Sequence, residues 1–80
     1  MAKYFFDCQT YDLLTADEEG VELPNVEAAH AEALNFMANV VREVVAQGKL
    51  DQRFAVQVRD EFGPVLEITA AMGSRILRKQ

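Results

Sequence analysis

Cys8 and His30 are the only thiol and the only imidazole in this 80-residue chain. Together they could form a nucleophile and base, because a thiolate attacks and an imidazole within hydrogen-bond reach takes up its proton. That chemistry needs a strand carrying Cys8 to meet the start of a helix carrying His30, and a third group to orient the ring. No spacing in the chain supplies the third group, and a lone cysteine following Tyr4, Phe5 and Phe6 reads as a small buried hydrophobe. Asp12, Asp17, Glu18 and Glu19 collect carboxylate oxygens in one loop, the donor type a hard cation takes. The alternate acidic positions and distal glutamate of an EF-hand loop are missing, so solvated turn acids are the simpler account. One His and one Cys leave too few ligands for a zinc site within one chain. Gly20, Gly48, Gly63 and Gly73 stand apart and form no phosphate-cradling loop. The inventory predicts no catalytic residue, no metal and no cofactor, so the chain is expected not to be an enzyme.

The elements that would position these residues are legible from their periods. Tyr4, Phe6 and Cys8 alternate with Lys3, Phe5, Asp7 and Gln9, the period of two of a strand with one face on a core. Tyr11 to Ala16 reads as a connection, and Asp17-Glu18-Glu19-Gly20 as a turn before a short strand, Val21-Glu22-Leu23. Pro24 stops that strand and Asn25 is a suitable N-cap. A helix is predicted from Val26 to Gln47, with Val26, Ala29, Ala33, Phe36, Met37, Val40 and Val44 on one stripe and Gly48 placed to end it. Ala29 and Ala33 are small enough to let its first half approach a sheet closely. Beyond a linker, Lys49 to Arg53, the inward sets Phe54, Val56, Val58 and Leu66, Ile68, Ala70 flank an Asp60-to-Gly63 turn and predict a hairpin. The fold class is α+β: hairpin, one long helix, hairpin, with the helix on one face of a three- or four-stranded, mostly antiparallel sheet. Residues 1–72 make one domain and 73–80 a basic tail. The pattern leaves strand order open; a right-handed crossover pairing strand one parallel with a strand of the second hairpin is the first arrangement to test.

Two surface features remain. Leu34, Ala38, Val41 and Val45 form a second apolar seam beside the core stripe, and Phe5, Val65 and Phe62 point away from the helix if the alternation holds. One sheet cannot easily cover both seams, which predicts self-association, a homodimer, or a protein partner, with Phe5, Leu34, Ala38, Val41, Val45 and Val65 as the surface. Burying one large aliphatic side chain contributes about 1.5–3 kcal/mol while association costs about 4–15, so strand-edge contacts must add to the seam. The net charge is −5, and residues 1–41 set Lys3 alone against eight acids. Arg75, Arg78 and Lys79 lie in the last six positions and could touch a few phosphates, but the acidic body disfavours nucleic acid. No apolar run suggests a signal peptide or a membrane span, so a cytoplasmic protein is expected.

Tyr4-Phe5-Phe6, Asp17-Glu18-Glu19-Gly20-Val21-Glu22-Leu23-Pro24, the Ala-rich helix with Ala28, Ala29, Ala31, Glu32 and Ala33, and Val58-Arg59-Asp60-Glu61-Phe62-Gly63 together resemble a family of short bacterial proteins of unknown function. The resemblance covers most of residues 3–70 and implies no activity. It departs at Asp7, where members often carry His, and at His30, where they often carry Arg near the start of the helix. A helix after a short hairpin and before further strands is also similar at fold level to antitoxin partners of small ribonuclease toxins, though their glycine-rich approach to the helix is missing. That likeness implies an alternative, a regulatory accessory with weak nucleic-acid contact through the tail.

Overall fold

The computed structural model describes residues 1–10, 13–48 and 52–78. Along the chain run β1 (Ala2–Gln9), β2 (Leu14–Thr15), β3 (Val21–Leu23), α1 (Val26–Ala46), β4 (Gln52–Asp60) and β5 (Gly63–Met72). They form the expected α+β layer, one helix over an antiparallel sheet, with five strands rather than three or four. The extra strand is β2, two residues of the expected 11–16 connection that pair with Cys8 and Gln9. A two-residue bridge has no period to betray it.

The strand order is β2-β1-β4-β5, with β3 also paired to β1. β3 lies opposite Ala2, Lys3 and Tyr4, so β2 and β3 share one edge of β1 while β4 occupies the other. β1 and β4 run antiparallel, which corrects the parallel crossover set out as the first arrangement to test. The chain enters the helix from β3, already reversed relative to β1. The crossover therefore joins β3 to β4, two strands of like direction, and places β1 between them.

Asn25 caps α1 from an extended backbone (φ −163°), its Oδ1 accepting from the Ala28 N–H at 2.9 Å. At the other end Gly48 takes φ +77°, a conformation that terminates helices at little cost only for glycine. The core is Tyr4, Phe6, Phe54, Val56 and Val58 from the sheet against Ala29, Ala33 and Met37 from the helix. These sheet residues belong to the inward sets of the period-two reading, whose other members, Cys8, Leu66, Ile68 and Ala70, are half-buried. Ala29 and Ala33 have no exposed surface, so here the helix backbone rides directly on the sheet. Phe36, Val40 and Val44 pack half-buried around them. Val26, expected in the stripe, is instead exposed, because the first turn overhangs the margin of the core. Among the described residues no helix is long and apolar enough to cross a membrane.

Candidate interaction surface

The face of the sheet away from α1 carries a polar cluster built around a gap. Between β3 and β2 the edge of β1 has no strand partner at Phe6, and the carboxylate of Asp17 fills that place: its Oδ2 accepts from the Phe6 N–H at 3.1 Å. Its Oδ1 accepts from the N–H groups of Glu19 (3.0 Å) and Gly20 (3.3 Å), closing the turn. The Asp17 N–H donates to Asp7 Oδ1 at 2.9 Å. Arg59, diagonal to Asp7 across the β1–β4 ladder, donates from Nε to Asp7 Oδ2 at 2.8 Å and from Nη2 to the Asp17 carbonyl at 2.8 Å. Its guanidinium lies 4.5 Å from the centre of the Phe5 ring, and Lys3 Nζ approaches the same ring at 5.9 Å.

Burial raises the Asp17 pKa, but the N–H groups of Phe6, Glu19 and Gly20 and the charge of Arg59 outweigh it and hold the carboxyl below its ordinary range. The cluster clamps loop 17–20 to the sheet, its carboxylates engaged by donors from the chain itself. Among the described residues no group of three or more His, Cys, Asp or Glu could hold a metal ion; Asp12 lies outside them. Phe5, expected as a free apolar surface, is half-buried beneath the guanidinium and against Gly20. A Cβ on Gly20 would sit 2.9 Å from the Phe5 ring and 3.0 Å from the Lys3 chain, at φ +75°. Gly20→Ala should therefore cost about 2 kcal/mol, the left-handed penalty plus displacement of Phe5. Urea denaturation checks it.

Cys8 and His30 are not brought together. Cys8 pairs with Val56 of β4, whereas His30 lines a shallow groove with Val26, Glu27 and β5 residues Leu66, Glu67 and Ile68. β4 stands between. Burial pushes the Cys8 thiol pKa up, away from the reactive thiolate.

The groove orients the helix. His30 faces β5, and Leu34, Val41 and Val45 follow His30 on that flank of the wheel at about 100° per residue. Leu34 is 50% and Val45 46% exposed; Ala38 is exposed and Val41 is half-buried against the core. Val65, expected on the outer face, packs against the core instead. A register shift opposite Val58 and Arg59 makes Val65 the extra residue of a bulge, which re-aims its side chain. β5 ends the sheet, so its outer edge is unpaired among the described residues. Beyond it Arg75, Ile76, Leu77 and Arg78 are exposed, while Lys79 lies outside the described residues.

Sequence reasoning missed the Asp7–Arg59–Asp17 cluster. The Asp17-to-Gly20 spacing does signal a side-chain-capped turn, but nothing local signals an arginine 42 residues further on.

An amphipathic helix on an antiparallel sheet, with a clamped polar face and an edge unpaired among the described residues, defines a small α+β domain. The chain belongs to a family defined by a domain of unknown function, DUF6894, whose model matches residues 3–71. No curated protein and no solved structure matches it.

Proposed function

We propose that the chain is a small non-enzymatic interaction module that self-associates, in keeping with a family to which no activity is attached. The observation that carries this reading is the coincidence on one side of the molecule of the ten-residue β5, whose outer edge is unpaired among the described residues, and the half-exposed Leu34 and Val45 of α1. The edge offers backbone donors and acceptors; the helix flank offers apolar area. Neither suffices alone, since a few half-exposed aliphatics do not offset an association cost of about 4–15 kcal/mol. The separation of Cys8 from His30 and the raised thiol pKa support a non-enzymatic role. Sedimentation equilibrium at micromolar concentration should give twice the 9.0 kDa chain mass. A mass of one chain at all concentrations would defeat the proposal.

A further inference from the structure

We infer that the partner seated on the β5 edge is a second copy of this chain, paired antiparallel along Leu66 to Met72 so that each C-terminal segment clasps the other copy's β4–β5 turn. This deepens the self-association reading and rests on it.

Proteins keep exposed edges from pairing with proline, bulges and charge. On β5 these devices gather at the start: Pro64 and the bulge at Val65. From Leu66 to Met72 there is no Pro and no Gly, and Glu67 is the only charge. That run of seven is open to strand addition.

The two ends of the strand select the occupant. Antiparallel self-pairing sets the C-terminal end of one β5 beside the N-terminal end of the other, whatever the register. The N-terminal end is entered through Asp60, Glu61 and Phe62, two carboxylates and a phenyl ring that is 89% exposed. The C-terminal end is left through Arg75, Ile76, Leu77 and Arg78, two guanidinium groups around two side chains that are 82% and 80% exposed. Opposite charge thus meets opposite charge, and aliphatic meets aromatic, twice by symmetry. In the register centred on Thr69, Arg75 falls level with Gly63, the turn residue paired with Asp60, and Glu67 falls opposite Ala71, so no like charges face each other. A parallel copy would align the arginines with themselves. The same two-fold axis brings both helix flanks, with Leu34 and Val45, over the joined sheet.

The test measures dimer dissociation of the full chain by sedimentation, with the charge reversals and the cross-linking cysteine at exposed positions. Arg75→Glu/Arg78→Glu and Glu61→Arg should each weaken the dimer by about tenfold, and combining all three should restore most of the affinity. In a Cys8→Ser background, Thr69→Cys should form disulfide-linked dimers under mild oxidation. A wild-type protein that never exceeds one chain defeats the self-association reading itself. A wild-type dimer indifferent to both charge reversals, and not cross-linked at position 69, leaves that reading standing and overturns this arrangement. So does an unchanged dimer whose tail reversal abolishes binding of a fluorescent single-stranded DNA, which would assign the tail to nucleic acid.

Discussion

Arg59→Ala should lower the free energy of unfolding by about 3 kcal/mol, read as a fall of about 12–24 °C in melting temperature at fixed protein concentration. The expectation is large for a sheet-face arginine because of what the substitution leaves behind. Asp7 is the partner of Arg59 in an ion pair whose carboxylate side chain is only 12% exposed; without the guanidinium it is a charge held by the Asp17 N–H alone. The Asp17 carbonyl loses its 2.8 Å donor, and the Phe5 ring loses its cover. Arg59→Lys should recover less than half of the loss, because an ammonium cannot hold Asp7 and the Asp17 carbonyl with one rigid fork while stacking on Phe5. A double-mutant cycle with Asp7→Ala should show coupling of about 1 kcal/mol or more. Additive losses would mean that the cluster is not acting as a unit.

The same cluster makes a pH prediction. Asp17 has a folded-state pKa below its ordinary value of 3.8, so below that value the unfolded chain binds the proton more readily than the folded one. Its stabilisation is complete above 3.8 and is lost as pH falls through the depressed folded value. Asp17→Asn should therefore remove part of the acid-side decline below about pH 4 while lowering stability at neutral pH. Urea midpoints from pH 7 to 2 for both proteins test the sign; an unchanged acid limb would refute it.

Ala33→Leu should cost about 3 kcal/mol by a different mechanism. Ala33 has no exposed surface and lies in the core with Ala29 one turn before it. Three added carbons have no void to enter, so they must lift the helix off Phe6, Val56 and Val58 or drive side chains off their rotamers. In an 80-residue domain, where total stability is about 4–12 kcal/mol, that is a large share. The control is Ala38→Leu, five residues on and exposed, which should leave monomer stability within about 0.5 kcal/mol. Equal losses at both positions would mean that α1 is not seated on its alanine face.

Much of this fold is legible in the sequence itself. Period two in Tyr4, Phe6, Phe54, Val56 and Val58 needs only the pleat of a strand, and each of these residues is buried. Asn25 and Gly48 mark the helix ends because capping depends on neighbours within four residues. The pairing of Leu14 and Thr15, by contrast, depends on where β1 happens to present an open edge. Asp7 marks a departure from the resembled pattern when read in line, and becomes the keystone of the outer face only once Arg59 stands diagonal to it.

The chain's own local chemistry dictates where the helix and the longer strands lie, which of their faces are mainly apolar, and that Ala29 and Ala33 permit close approach. Those properties depend on steric and hydrogen-bonding preferences that act over a few residues. Folding alone settles that β1 lies between β3 and β4, that Asp7, Asp17 and Arg59 meet, that a bulge turns Val65 inward, and that the bare edge of β5 shares a side with Leu34 and Val45. Each of those outcomes depends on contacts between segments distant along the chain, whose free energies exist only once the strands have chosen their neighbours.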